Sequence, residues 1–272
     1  MRGAVDGLVL REMPSGENDR LLVVLTAEYG TIRMCAKGAR SVRSKLSPLC
    51  RVFTYANFEF YEKNGMRWLS GGSVNDSFFG LQRDIEGFSL AAYLMSVTEE
   101  ITGEGVEAHS VLRTALNSLY LIEKEKKSLA LIKAAFEIFA AVQSGVRPDV
   151  SRCADCGCEP KDTMYLDVMN GCIRCVDCVR RSGAAQALTA EETEGTRRVL
   201  LPITPSAFAA FRYVLFADPS RLFAFELKDD EELATFGKVA EQYLLHHLGR
   251  GFDTLDFYHS VSMPIPKKER TE

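Results

Sequence analysis

The hydrophobic pattern changes its period near residue 81, and that change constrains the fold more than any other feature of the chain. Residues 1–75 hold five short apolar runs separated by turn residues. The third run alternates strictly, with Ile32, Met34 and Ala36 on one face, as is typical of a half-buried strand. Five such runs predict a small closed barrel, either an OB-fold or an SH3-like barrel. The runs are VDGLVLRE (5–12), LLVVLT (21–26), TIRMCAK (31–37), VFTYANFEFYE (52–62) and RWLSGGS (67–73).

After residue 81 the apolar residues recur every three or four positions, which predicts helices. Thr189 and Glu192 form a capping pair for a helix over 190–200. Thr204, followed by a proline at the first helical position, opens another helix that runs through Phe216. The other helical stripes are Leu90–Ile101, Leu112–Leu119, Leu129–Phe139 and Leu233–His247.

These patterns predict an α+β chain in which a five-stranded barrel, of the OB or SH3-like type, precedes an α-helical domain with an inserted cysteine-rich segment. A length of 272 residues is enough for about two domains. The expected boundaries are 1–80 for the barrel, 81–250 for the helical domain with its cysteine-rich segment at 151–182, and 251–272 for a C-terminal extension that ends in a polar tail.

Six of the eight cysteines lie between residues 153 and 178. Two CxxC pairs, separated by 18 residues, match the spacing of a zinc site, because each pair can bring two thiolates to one ion. An export signal would favour disulfides instead, but MRGAVDGLVLRE lacks an apolar core, so we expect a cytoplasmic protein. The predicted zinc ligands are Cys153, Cys156, Cys175 and Cys178.

Cys158 and Cys172 stand outside the two pairs, and the sequence assigns them no role. Six sulfurs leave an iron–sulfur cluster as an alternative. A catalytic zinc site would keep an open position, often with histidine or a carboxylate among its ligands. The four histidines, which are remote from the cysteines in sequence, give no such set, so we predict a closed, structural site. They are His109, His246, His247 and His259.

Residues 33–51 contain six cations and no acid, with glycine and serine interleaved. Such a loop suits a nucleic-acid backbone, although most basic runs are simply solvated. Residues 1–80 carry 11 Lys and Arg against 8 Asp and Glu, whereas the whole chain has a net charge of -4. Two Arg-Arg pairs, Arg180-Arg181 and Arg197-Arg198, could extend this surface or face solvent. The candidate DNA-binding residues are Arg33, Lys37, Arg40, Arg43 and Lys45.

Common catalytic motifs are missing from the chain. It contains no G-x-x-x-x-G-K-[ST] phosphate loop, no H-E-x-x-H and no G-x-S-x-G. No apolar stretch reaches the roughly 18 residues of a membrane-spanning helix. We therefore expect a binding protein that is neither an enzyme nor a membrane protein.

Three segments together resemble the RecO family, bacterial recombination mediators of DNA repair. GLVLREMPSGENDRLLVVLTAEYGTIRMCAKGARSVRSKL (7–46) is similar to the family's opening strands and basic loop. FEIFAAVQSGVRPDVSRCADCG (136–157) is similar to its helix end and first CxxC-Gly, and EQYLLHHLGRGFDTLDFY (241–258) to its His-Leu-Gly segment. The match follows the same order along the whole chain. One departure is Cys172, which stands where the family often has the second glycine of its second knuckle.

The resemblance implies an OB-fold, a helical domain with an inserted four-cysteine zinc finger, and one structural Zn²⁺. It implies binding of single- and double-stranded DNA, annealing of complementary strands, and loading of the RecA recombinase onto strands coated by single-strand-binding protein. The implied partners are RecR and the C-terminal tail of single-strand-binding protein, at repair sites on the nucleoid. The residues alone leave two alternatives, a barrel-plus-finger factor that acts on RNA or in transcription, and a zinc-dependent enzyme.

Overall fold

The first five strands form a closed barrel with the strand order β1-β2-β3-β5-β4. The computed structural model of the chain describes residues 2–182 and 199–262. Neighbouring strands are antiparallel except β3 and β5, which pair in parallel through Met34 opposite Arg67 and Cys35 opposite Trp68. The predicted OB-type barrel is therefore confirmed. The strands are β1 (Arg2–Ser15), β2 (Asp19–Thr26), β3 (Gly30–Ala36), β4 (Tyr55–Lys63) and β5 (Met66–Asp76).

Apolar side chains at alternate positions along the strands fill the core of the barrel. On β3, Ile32, Met34 and Ala36 are buried in the barrel core, while Arg33 between them is exposed. Phe58 on β4 is fully buried in the same core. The period of two in the sequence therefore determines that Arg33, the cation of β3, faces outward.

The fourth run begins later than the sequence predicts. Phe53 adopts a positive φ of 69°, and its ring packs edge-on against Phe88 with centroids 5.3 Å apart. The Phe53 N–H donates to Val9 O at 2.9 Å. Residues 52–54 therefore form a turn, and the strand starts only at Tyr55.

One glycine lets β5 bend across β4. Gly72 has a φ of +146°, and a Cβ there would lie 2.1 Å from Asn57 O on β4. The pairing register shifts between Glu59 and Phe60, where Ser70, two residues before Gly72, is the additional residue on β5. A bulge with a glycine of this kind coils a strand tightly enough to close a small barrel.

Contacts divide the chain into two units, one of residues up to Lys126 together with those from Gly251, and one of Lys127–Arg250. In the first unit Tyr93 packs edge-on against Phe252, with centroids 5.7 Å apart. The last helix lies in the predicted C-terminal extension and was not among the predicted stripes. The helices of this unit are α1 (Ile85–Ile101), α2 (His109–Glu123) and α7 (Asp253–Ser262).

The second unit combines three long helices with a small sheet of order β6-β8-β7-β9. Lys133 on the first of these helices forms ion pairs with Glu137, at 2.7 Å, and with Glu241 on the third, at 2.5 Å. The helices are α3 (Leu129–Gln143), α5 (Pro205–Phe216) and α6 (Asp230–Leu248), with a short α4 (Val176–Arg181). The strands are β6 (Asp149–Cys153), β7 (Met164–Asp167), β8 (Cys172–Cys175) and β9 (Leu200–Ile203).

Some sequence predictions fall outside the described residues. These are most of the helix over 190–200, the pair Arg197-Arg198 and the polar tail PIPKKERTE. Leu200 begins strand β9, so a helix does not reach the predicted end. Among the residues that the structure describes, none of the helices is both long and apolar enough to cross a bilayer.

Candidate functional site

Four cysteines from three elements meet in the second unit. Cys153 ends β6, Cys175 ends β8, and Cys178 lies in α4. Cys156 lies in the turn after β6. The four sulfur atoms all lie within 4.8 Å of one another, and the Cys156 and Cys175 sulfurs are 3.7 Å apart. These are the four residues that the CxxC spacing selects.

The first CxxC forms a tight knuckle. Gly157 has a positive φ of 71° and donates its N–H to Cys153 O at 2.9 Å. The Cys153 N–H donates to Cys158 O at 2.9 Å, and the Ala154 N–H reaches Ile173 O on β8 at the same distance. The glycine after the CxxC is therefore needed for the left-handed turn that folds the loop back.

The sulfur atoms have different electrostatic surroundings. Burial raises the pKa of Cys153, but three backbone N–H groups, foremost that of Cys175, donate to its sulfur and lower the pKa to about 6. Burial raises the pKa of Cys178 to about 12, and the neighbouring Cys175 sulfur acts in the same direction. Four thiolates this close repel one another, so the cluster needs a cation to be fully deprotonated.

The geometry fits one tetrahedral ion that prefers sulfur. A Zn–S bond of about 2.3 Å places the sulfurs of a regular tetrahedron about 3.8 Å apart, close to the 3.7 Å between Cys156 and Cys175. Zinc and iron both accept four thiolates in this arrangement. Four thiolates would fill all the positions of a tetrahedral ion and leave none open for a substrate, as in structural metal sites.

An arginine ties the knuckle to the sheet. Arg174 on β8 forms ion pairs with Asp155 in the knuckle and, at 3.2 Å, with the fully buried Asp167 on β7. Asp167 also accepts hydrogen bonds from Asn170 N, at 3.1 Å, and from its Nδ2, at 2.9 Å. Arg174 was not predicted from the sequence, although its place directly before the ligand Cys175 on the same strand was a usable signal.

The two additional cysteines are not among these four, although the Cys158 thiol interacts with the sulfurs of Cys156 and Cys175. Cys158 is exposed beside the knuckle, and Cys172 is partly buried at the start of β8. Burial, followed by the charge of Asp167, raises the pKa of Cys172 above its ordinary value. Neither sulfur belongs to the set of four that surrounds one point.

The candidate DNA-binding residues lie on the barrel. Arg33 is on β3, and the other four lie in residues 37–46, which we call the basic loop. Its turns are held by Ser41 N–H to Gly38 O at 3.2 Å and by Ser44 N–H to Ser41 O at 3.0 Å. The side chain of Asp19 accepts the Gly38 N–H at 2.8 Å. The basic loop is therefore a series of turns fixed at its base, rather than the freely draped loop that its glycine and serines suggest.

All five of these cations are exposed, and none forms an ion pair within residues 2–182 and 199–262. Arg40 donates to Gly16 O at 3.2 Å, a contact that leaves its charge uncompensated. Three other arginines of the barrel do form ion pairs, Arg11 with Glu99, Arg20 with Glu12 and Arg67 with Glu104. The basic loop and Arg33 therefore present positive charge that no acid of the described chain neutralises.

His247 has a packing role. Its Nε2 lies 2.9 Å from Val168 O, and its ring lies against Tyr243 with centroids 4.3 Å apart. Burial lowers the pKa of His247. The histidine is thus occupied within the helical unit, in keeping with the absence of a histidine from the predicted ligand set.

Comparison with known proteins decides the family. The model described as "Recombination protein O N terminal" matches residues 1–78, and that described as "Recombination protein O C terminal" matches residues 82–256. The chain belongs to the RecO family. Similar proteins, each named DNA repair protein RecO, include that of Acetivibrio thermocellus, 29% identical over 94% of this chain and 95% of that protein. Those of Alkaliphilus metalliredigens and Clostridium acetobutylicum are 27% and 23% identical, over 94% and 87% of this chain and 98% and 91% of those proteins.

The resemblance found in the sequence is therefore confirmed, and the chain is a RecO-family DNA repair protein. The first RecO model ends within two residues of the last barrel strand, and the second includes the cysteine cluster. Both candidate sites thus lie in segments that the family models match. DNA repair by this family implies contact with DNA, and the unpaired cations of the barrel are suited to it.

Proposed function

We propose that this RecO-family chain is a recombination mediator that has no enzymatic activity of its own. It binds single- and double-stranded DNA, anneals complementary strands, and helps load RecA onto strands coated by single-strand-binding protein. The observation that carries the proposal is a set of five exposed cations on β3 and the basic loop that form no ion pair within the described parts of the chain, Arg33, Lys37, Arg40, Arg43 and Lys45.

Binding through these cations is electrostatic. Lys and Arg that contact phosphates release condensed counterions, so the affinity falls steeply as salt rises. Contacts to phosphates do not depend on the base sequence of the DNA, and this suits a protein that must act on any damaged region. The turns of the basic loop fix the backbone that carries these side chains before DNA binds, which lowers the entropic cost of binding.

The remaining parts of the proposal concern the metal and the partners. One structural Zn²⁺ on Cys153, Cys156, Cys175 and Cys178 stabilises the second unit, and the metal takes no part in a reaction. RecR and the C-terminal tail of single-strand-binding protein are the proposed protein partners, in the cytoplasm at repair sites on the nucleoid. The similarity to proteins named DNA repair protein RecO over nearly the whole chain supports these assignments.

Charge reversal in the basic loop tests the proposal. Lys37→Glu with Arg43→Glu removes two cations that make no hydrogen bond or ion pair in the described part of the chain, so the fold should survive. We expect single-strand binding to weaken at least tenfold at low salt, which is about 1.4 kcal/mol. Fluorescence anisotropy with a labelled oligonucleotide measures the change.

A matched control reverses two exposed lysines of the other unit, Lys161→Glu with Lys228→Glu, and should bind within about twofold of the unmodified protein. Equal losses in both double variants would show a diffuse effect of net charge and contradict the assignment to the basic loop. The affinities for RNA and DNA oligonucleotides of the same sequence are then compared. A strong preference for RNA would favour the alternative of a factor that acts on RNA.

A further inference from the structure

The four sulfur atoms of the metal cluster receive different kinds of support. Cys153 Sγ accepts the backbone N–H of Cys175 at 3.3 Å. Cys178 Sγ instead accepts a hydrogen bond from a side chain, Arg181 Nη2, at 3.1 Å. Backbone amides thus support the knuckle side of the cluster, and a guanidinium supports the helix side.

Cys178 and Arg181 lie on the same short helix. Cys178 is the third residue of α4, and the N–H of Ser182, just after the helix, donates to Cys178 O at 3.0 Å. Residues three apart lie on the same face of a helix, which places Arg181 beside Cys178. Arg181 Nε also donates to Asp177 O at 3.3 Å, and this second contact fixes the direction of the guanidinium.

A metal site with four thiolates is negatively charged, and a cationic hydrogen-bond donor stabilises it. Four thiolates around one divalent cation carry a net charge of about -2. A hydrogen bond from a cation to a ligand sulfur offsets part of that charge, and charge-assisted hydrogen bonds are about twice as strong as neutral ones. Partners of this kind, one step removed from the metal, orient its ligands and tune its affinity.

We propose that Arg181 is a positioning residue of the metal centre, which holds the Cys178 sulfur and compensates its charge. It is therefore committed to the metal site and is not a contact for DNA. Its neighbour Arg180 is exposed, and its side chain forms no ion pair or hydrogen bond with any other residue that the structure describes. The two arginines of one Arg-Arg pair thus have separate roles.

Cobalt substitution tests the proposal, because Co²⁺ in a thiolate tetrahedron reports on its sulfur ligands by absorption. The full-length chain is freed of metal and titrated with Co²⁺, and Zn²⁺ affinity is then measured by competition. Arg181→Gln should weaken metal binding about ten- to hundredfold. It should also move the sulfur-to-cobalt charge-transfer band to longer wavelength, because a sulfur that loses a donor holds its electrons less tightly.

Arg180→Gln is the matched control, with the same change of charge one residue away, and it should keep the affinity and band position of the unmodified protein. Arg181→Lys, which keeps the charge but loses the planar fork, should fall between the two. It also serves as the second variant if Arg181→Gln does not fold. An unshifted band and an unchanged metal affinity in both Arg181 variants would overturn the proposal. An equal effect of Arg180→Gln would overturn it too, since net charge alone would then be responsible.

Discussion

Six cysteine side chains lie within 26 residues of one another in sequence, but their surroundings are not alike. Cys153 and Cys178 are buried, and their sulfurs accept hydrogen bonds from an amide and a guanidinium. Cys158 is exposed, and Cys172 lies near the carboxylate of Asp167, which disfavours a thiolate. Ligand chemistry at this site therefore depends on the neighbours of each sulfur as much as on the spacing of the cysteines.

Serine substitutions should separate the ligands from the spare thiols. Cys153→Ser and Cys178→Ser should lose the metal, while Cys158→Ser and Cys172→Ser should keep about one zinc per chain. Elemental analysis of the purified variants measures the content. Zinc at a free concentration of a hundred times its Kd stabilises a folded protein by about 2.7 kcal/mol, and the first two variants should lose a stabilisation of that size. Metal loss from Cys158→Ser or Cys172→Ser would reassign the ligand set.

Strands and helices that have a clear hydrophobic period or a clear end signal in the sequence lie close to where the sequence predicts them. The alternation of TIRMCAK predicts β3 and the outward direction of Arg33. The proline after Thr204 predicts the start of α5, and Gly249, in the left-handed conformation, ends α6 two residues after the predicted stripe Leu233–His247. In each case one local sequence signal is enough to predict the element, because core packing and helix capping favour the same local structure.

Other elements depend on contacts that are distant in sequence. Phe53 turns because its ring fits against Phe88, and no local pattern encodes that contact. Strands β6 to β9 have only four or five residues each, too few to show a period. Their positions depend on the cysteine cluster and on Arg174. Helix α7 follows a glycine-rich junction in a polar segment, and its packing against α1 through residues such as Thr254 and Ser96 was not predictable from period alone.

The pairing of α3 with α6 depends on a buried cation. Burial alone lowers the pKa of Lys133, but the carboxylates of Glu137 and Glu241 raise it above its ordinary value, so the lysine is charged at neutral pH. Lys133→Met leaves Glu137 buried without this cation, and we expect a loss of about 3–5 kcal/mol in the free energy of unfolding. Urea denaturation measures it. The double variant Lys133→Met with Glu137→Leu should recover most of the loss, and failure to recover would contradict the ion-pair explanation.

The closure of the barrel depends on Gly72. Alanine there would strain a backbone with a φ of +146° and bring its Cβ to 2.1 Å from Asn57 O. Strain of this kind costs about 1–3 kcal/mol before the clash is counted. Gly16→Ala is the control, since Gly16 has a positive φ of 62° but no atom within 4 Å of the added methyl group. Thermal unfolding should show a larger fall in Tm for Gly72→Ala, and equal falls would contradict the role of close approach.

On the scale of the whole molecule, the two units carry different chemistry. The first holds the barrel, the basic loop and Arg33, and the second holds the cysteine cluster. The basic excess of residues 1–80 is therefore local, and it coexists with a net charge of -4 for the chain. This distribution of charge is the reason that we propose DNA binding for the first unit, since a local excess of cations attracts a polyanion even when the whole chain is acidic.

The proposed function requires both DNA contact and action on coated strands. Annealing of two complementary oligonucleotides, each coated by single-strand-binding protein, measures both at once. We predict that the unmodified chain accelerates annealing and that Lys37→Glu with Arg43→Glu abolishes most of the acceleration, while Lys161→Glu with Lys228→Glu retains it. No acceleration by the unmodified chain, or full acceleration by the basic-loop variant, would contradict the central claim that this chain is an annealing mediator that works through its basic loop.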